Sequence, residues 1–314
     1  MVPDWQSPTL ATLTDERFSD PDWIFERKLD GVRGLAFRDG KRIRLLSRNQ
    51  LSLNNTYPEI VEGLAKQETS RFVMDGEIVA FEGRRTSFER LQGRSGITDP
   101  ALARVSGIPV FYYVFDLMNL DGEDITAYPL LQRKRLLRNT FSFDDPLRFT
   151  THRVKDGESA YRAACERGDE GVIAKLAEST YEGGRSRNWL KFKCSRDQEF
   201  VVVGYTAPKG SRVGLGALLL GYYDGADLVY AGKVGTGFDD ATLRKLHEQL
   251  ARTEQTTSPI TRGSVREPTA HWVRPKLVAQ VAFGEWTRDG KLRHPRYLGL
   301  RTDKSPNEVV RETH

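Results

Sequence analysis

The fold turns on WIFERKLDGVRGLAFRDGKRIRLLS, residues 23–47. Trp23-Ile24-Phe25 is an apolar run, and Lys28 and Asp30 follow it at the mouth of a turn. Gly34 to Ser47 alternates apolar residues on both sides of RDGK, which predicts a β-hairpin. Lys28 is therefore either a solvated charge beside a hairpin or a nucleophile held at a strand end. Outward from this stretch, RFVMDGEIVAFEGRRTSF (71–88) reads as a strand broken at Asp75-Gly76 with a turn at Glu82-Gly83. IPVFYYVFDLMNLDGEDI (108–125) is a strand apolar enough to be buried on both faces. Helical spacing of apolar residues covers Pro58 to Lys66, Leu130 to Asn139 and Glu158 to Arg167. The first part of the chain is thus α+β with an antiparallel core.

From Glu199 the texture changes to strand, glycine-rich turn and strand, then one helix at Asp240 to Arg252 and further strands from Ala279. This predicts a small Greek-key barrel of the OB type. Gly210, Gly214 and Gly216 are turn or bulge glycines, because neither Gly-Lys-Ser/Thr nor a helix follows them. The expected domains are 1–194 and 195–314.

A chain of 314 residues favours two domains over one core. There is no apolar run of bilayer length and no signal-peptide core, so a cytoplasmic location is expected. Cys165 and Cys194 are the only cysteines, too few for a disulfide framework or a four-cysteine zinc site, and read as small buried residues. The five histidines are scattered. A net charge of +5 mildly favours a polyanionic partner. The basic residues cluster at Lys41 to Arg44, Arg133 to Arg135, Arg185 to Lys193 and Arg288 to Arg301, as a phosphate-tracking surface requires, although each alone reads as a solvated face.

Lys-x-Asp-Gly is a weak signal alone, but an ordered series accompanies it: KLDGVRG at 28–34, SRN at 47–49, DGEIV at 75–79, YVFDLM at 113–118, EGVIAK at 170–175, WLKFK at 189–193 and LRHPRYLGLRTDK at 292–304. In these motifs, over nearly its whole length, the chain resembles the covalent nucleotidyltransferases, the superfamily of ATP-dependent DNA ligases, RNA ligases and capping enzymes. SPTLATL near the start and EWTRDGKLRHPRYLGLR and DKSPNEVV near the end are most similar to bacterial DNA ligases of nonhomologous end joining. Asn49 departs from many relatives after the Ser-Arg pair.

The resemblance implies an antiparallel-sheet adenylation domain followed by an OB fold, and ATP-dependent sealing of nicks through a lysyl-AMP on Lys28. A lysine must be neutral to attack the α-phosphate, which sets a need for nearby positive charge, expected from Arg27, Lys191 and Lys193. Strand alternation in WLKFK puts Lys191 and Lys193 on one face. By resemblance, Glu26 and Glu77 join the nucleotide set, Glu77 at the ribose or a metal, and Phe115 stacks on adenine. Glu170 binds metal, Lys175 joins Lys191 and Lys193 at the α-phosphate, and Arg33 touches the ribose or the DNA end. Arg48 holds the nick 5′-phosphate, and Arg293, Arg296 and Lys304 serve the ATP phosphates when the second domain closes. ATP and Mg²⁺ or Mn²⁺ are the implied cofactors. The implied partners are nicked or broken duplex DNA and end-joining factors such as Ku and a polymerase/nuclease module, with the protein a monomer associated with the bacterial nucleoid. An NAD-dependent ligase is disfavoured by the 27 residues before Lys28 and by the two cysteines. RNA ligase, capping enzyme and non-catalytic nucleic-acid-binding module are the alternatives.

Overall fold

The computed structural model describes residues 1–195 and 197–312. The chain forms two compact units, the first Met1–Cys194 and the second beginning at Ser195. In chain order the first runs β1 (Thr9–Leu13), β2 (Trp23–Lys28), β3 (Val32–Asp39), β4 (Arg42–Ser47), α1 (Pro58–Ala65), β5 (Arg71–Val79), β6 (Phe81–Glu82), β7 (Arg85–Thr86), α2 (Phe88–Leu91), α3 (Pro100–Val105), β8 (Phe111–Leu120), β9 (Glu123–Asp124), α4 (Leu130–Thr140), β10 (Leu147–Phe149), β11 (His152–Val154), α5 (Gly157–Glu166), β12 (Gly171–Leu176) and β13 (Gly184–Lys193).

Two sheets organise this unit, β1-β13-β12-β2-β11 and β10-β8-β5-β3-β4 with β9 on β8. The expected hairpin is β3–β4, its turn closed by Gly40 at φ +61. The interior pairings are antiparallel as expected, but the edge strands β1 and β10 pair in parallel. A second difference concerns β5, which runs unbroken through Asp75-Gly76. A Cβ at Gly76 would lie 2.4 Å from the Tyr112 ring and 2.6 Å from the Tyr113 carbonyl, so the glycine admits a neighbouring strand and does not end its own.

The spaced apolar residues fall on the buried faces of their helices: Ile60 and Leu64 on α1, Leu130 and Leu137 on α4, Ala160 and Ala164 on α5. Phe25, Val172, Ala174 and Phe192 of the first sheet pack against α5. Leu35, Phe37, Val73, Phe115, Met118, Tyr181 and Trp189 form a cluster that draws on both sheets.

The expectation that both cysteines are simply small buried residues is corrected: Cys165, the penultimate residue of α5, forms a disulfide with Cys194, just past β13. Sequence spacing could not show this, because packing of α5 on the sheet brings the two ends together.

The second unit contains β14 (Asp197–Thr206), β15 (Leu218–Asp224), β16 (Asp227–Val234), α6 (Asp240–Ala251), β17 (Glu254–Gln255), β18 (Ala270–Ala282), β19 (Glu285–Trp286), β20 (Leu292–Arg293) and β21 (Arg296–Leu300). Its main sheet has the order β16-β15-β14-β18-β17, with β21 on β18. The pairings among the described residues leave this ladder open and not a closed barrel. Strand β18 starts earlier than the Ala279 expected from sequence. The register passes from Leu277 opposite Val202 to Trp272 opposite Gly204, so Pro275, which has no N–H for a ladder, lies in a bulge.

Candidate active site

Alternation along β2 puts Ile24, Glu26 and Lys28 on one face. In the antiparallel register with β12 these residues oppose Lys175, Ile173 and Gly171, which in turn oppose Trp189, Lys191 and Lys193 of β13. Directly opposed residues share a face. Three rows result: Lys28–Gly171–Lys193, Glu26–Ile173–Lys191 and Ile24–Lys175–Trp189. Gly171 has φ +145, and a Cβ there would lie 1.9 Å from the Phe192 carbonyl oxygen. The requirement for glycine leaves no side chain between the two lysines of the first row.

Lys28 forms an ion pair with Glu170, which immediately precedes β12. Glu26 is buried and bridges two ammonium groups, Lys134 at 2.5 Å and Lys175 at 2.7 Å. Lys134 also donates to the carbonyls of Thr150 at 3.0 Å and Phe115 at 3.3 Å. Burial alone would raise the Glu26 carboxyl, but the two lysines prevail and hold it below the usual carboxylate range. Lys175 is lowered to about 8, chiefly by burial, with the Lys134 charge adding to the effect and Glu26 opposing it. Its ammonium lies 4.1 Å from the Phe115 ring centroid and 3.8 Å from that of Trp189. Lys175 thus sits in the third row beside Trp189, reaching Glu26 in the second row and the Phe115 ring of the other sheet, two rows from Lys193. His152 of β11, opposite Glu26, is lowered by burial and by Lys134.

In the second sheet, Arg33 opposes Glu77, which opposes Tyr113. The Arg33 guanidinium makes two 2.5 Å bonds to Asp75 and a third, of 3.1 Å, to the Thr9 carbonyl, and lies 4.7 Å from the Phe115 ring. Tyr181 donates to the same Asp75 carboxylate at 2.6 Å. Any contact of Arg33 with a nucleotide is therefore made by a side chain already fixed on Asp75. Arg48 is half-buried in the turn just after β4, where Gln50 takes φ +62. In the second unit, Arg293 pairs with Glu285 at 2.6 Å, Lys304 pairs with Glu199 at 3.0 Å, and Arg296 is exposed at the start of β21.

Two readings of charge need correction. Arg27 does not present its charge to Lys28: alternation turns it to the other face, where it pairs with Asp169 at 2.7 Å. The Arg133 to Arg135 cluster is not a phosphate-tracking surface, since Arg133 and Lys134 are buried and only Arg135 is exposed. Arg133 makes a two-pronged bond to buried Asp116 at 2.8 and 2.9 Å. Lys134, Asp75, Tyr181 and Trp189 were missed as members of the site. Trp189 alone had a signal in sequence, standing two residues before Lys191 on the same strand face.

The family model of the ATP dependent DNA ligase domain matches residues 8–193, and that of the ATP dependent DNA ligase C terminal region matches residues 211–304. The chain belongs to the ATP-dependent DNA ligase family. Its two units are accordingly a nucleotidyltransferase fold and an OB fold. It is 37% identical over 319 residues to the multifunctional non-homologous end joining protein LigD of Pseudomonas aeruginosa, covering 99% of this chain and 37% of the relative. Against LigD of Mycobacterium tuberculosis the identity is 36% over 320 residues, covering 98% and 40%. The chain thus spans about two-fifths of the length of these curated relatives. A solved structure of mycobacterial DNA ligase D complexed with ATP and MES matches with a TM-score of 0.67 at 34% identity, over 98% of each chain. Among the described residues no helix is long and apolar enough to cross a membrane.

Proposed function

We propose that the chain is an ATP-dependent DNA ligase working through a lysyl-AMP on Lys28. The observation that carries this reading is the first row of the sheet, where Lys28 faces Lys193 across a glycine with Lys191 in the next row. Cations flanking a position that has no side chain suit a phosphate group. In its ion pair with Glu170, Lys28 is an ammonium and cannot attack. Attack therefore requires that this pair open as the anionic ATP phosphates compete for the ammonium, and that the ammonium give one proton to water, which leaves the amine nucleophilic. The amine nitrogen then bonds to the α-phosphorus, the bond from that phosphorus to the bridging oxygen breaks, and pyrophosphate leaves with the electron pair. Lys191 and Lys193 hold the α-phosphate oxygens through this change. AMP next passes to a DNA 5′-phosphate oxygen, breaking the nitrogen–phosphorus bond, and a 3′-hydroxyl displaces AMP to close the strand.

Phe115 would stack on the adenine, with Glu26 at the base and Glu77 toward the ribose. Arg33 stands ready beside Glu77, and Arg48 would hold the DNA 5′-phosphate. Arg293, Arg296 and Lys304 would serve pyrophosphate departure. A hard divalent cation fits a donor set of one or two carboxylates completed by substrate phosphates. By the family resemblance Glu170 and Glu77 would be those carboxylates, and no group of three or more metal-ligating side chains occurs among the described residues. Mg²⁺ or Mn²⁺ there would neutralise phosphoryl charge. The substrate is nicked or broken duplex DNA. Likeness to the end-joining relatives supports a place in end joining, with factors of the Ku and polymerase/nuclease kinds as partners.

Incubation with α-labelled ATP and Mg²⁺ tests this. The protein is expected to carry an acid-labile, alkali-stable label, and Lys28→Ala to carry none. A labelled alanine variant overturns the assignment.

A further inference from the structure

Asp169 lies on the reverse side of the site, one residue before Glu170, and its side chain is 3% exposed. Its carboxylate accepts from Arg27 at 2.7 Å and from the Nε of Arg167 at 3.0 Å. Its N–H donates to the Ala164 carbonyl in α5 at 2.9 Å. The Glu170 carbonyl accepts from the N–H of Cys194 at 3.0 Å, and Arg27 also donates to the Arg84 carbonyl at 3.3 Å. The same face carries the apolar cluster of Phe25, Val172, Ala174 and Phe192. Burying a carboxylate beside such a face costs stability unless it is paired, and an apolar residue would fill the place more cheaply. Packing therefore gives no reason for the charge.

Its position supplies one. Arg27 is the neighbour of Lys28, and Asp169 is the neighbour of Glu170. The ion pair on one side of the sheet thus joins the same two backbone segments as the Lys28–Glu170 pair on the other. We propose that Asp169, through Arg27, is a positioning residue that fixes the turn carrying Glu170 against the strand carrying Lys28. Lys28 then meets the α-phosphate from a single location after its own ion pair opens. A displacement of about 1 Å at a reacting group costs on the order of a hundredfold in rate, so a clamp at this point acts on the steps in which Lys28 reacts. The inference rests on the lysyl-AMP chemistry proposed above.

The test compares three readouts in Asp169→Asn, which keeps shape and removes charge. Lysyl-AMP formation at saturating ATP is expected to fall by about ten- to a hundredfold. The KM for ATP should stay within about twofold, and sealing of nicked DNA already bearing a 5′-adenylate should fall at least several-fold less than lysyl-AMP formation, since only the latter requires attack by the Lys28 amine. Arg27→Gln should match Asp169→Asn, the double variant should be no worse than either alone, and Arg27→Lys should recover most of the rate. If Asp169→Asn does not fold, Arg27→Gln, with a partly exposed side chain, gives the same reading. Adenylylation at the parent rate in both variants overturns the inference, as does equal loss of all three readouts together with melting temperature, which would mark a purely structural pair. Failure of the parent protein itself to form the Lys28 adduct would overturn the functional reading instead.

Discussion

On β13, Lys191 and Lys193 lie on the face with Lys28, while Phe192 between them lies against α5. The same division holds on β2, where Glu26 and Lys28 face the site and Phe25 and Arg27 face the reverse. One face collects ionic groups that depend on ligands and on one another, and the other, apart from the Arg27–Asp169 pair, collects rings and small apolar residues that depend on exclusion of water. Because adjacent residues alternate, stability and chemistry are separable at neighbouring positions of one strand. That separation can be broken experimentally.

The largest effects should come from adjacent substitutions on β13. Phe192→Ala removes a fully buried ring and should cost about 3–5 kcal/mol in denaturant unfolding, while the surviving folded protein still forms lysyl-AMP. Lys191→Ala should do the reverse, with little change in unfolding and about a hundredfold slower adenylylation. Loss of both properties in both variants would show that the faces are not independent.

Lys134→Met is expected to breach the division, because Lys134 is a buried charge that serves the site. It leaves Glu26 with Lys175 alone and should destabilise the fold by about 3–5 kcal/mol. Adding Glu26→Gln should return part of that stability. A loss confined to activity would show that the buried lysine is not structural.

Lys175 gives a pH test on the site face. Its proton is held to about 8 in the folded chain, against a usual 10.5. Between those values the unfolded chain binds more protons, so the cost of burying the ammonium, complete below pH 8, disappears as pH rises to 10.5. The gain is about 3 kcal/mol across the window. In denaturant unfolding at several pH values in that range, the parent should gain this amount relative to Lys175→Met as pH rises, and a pH-independent difference would contradict the shift.

The smallest effect concerns Arg48. Arg48→Ala should form lysyl-AMP at near-parent rate yet lose about 2 kcal/mol in AMP transfer to DNA, more than tenfold in rate. Lysine should restore only part, since it cannot make two parallel bonds. Equal loss of both steps would make Arg48 a nucleotide or folding residue.

Much of this was legible beforehand because it depends on short-range periodicity. The β3–β4 hairpin, the helices α1, α4, α5 and α6, and the common face of Lys191 and Lys193 follow from spacing alone. What sequence concealed depends on contacts between distant segments. Lys134 and Arg133 look like a basic surface run until Asp116 and Glu26 arrive from other strands to neutralise them. Arg27 looks like a charge beside Lys28 until alternation carries it to Asp169. Gly76 looks like a strand breaker, and it is accommodated within a ladder by a neighbour that sequence does not show.

The Cys165–Cys194 bridge makes β12 and β13 part of a covalent ring that also holds Glu170, Lys175, Lys191 and Lys193. A protease cutting at the exposed Glu182–Gly183 bond would open the backbone without releasing a fragment. On a denaturing gel the nicked chain would migrate as one species until a thiol is added, and then as two. The strands of the proposed site are thus tied to α5 by a link that survives the loss of any one peptide bond inside the ring.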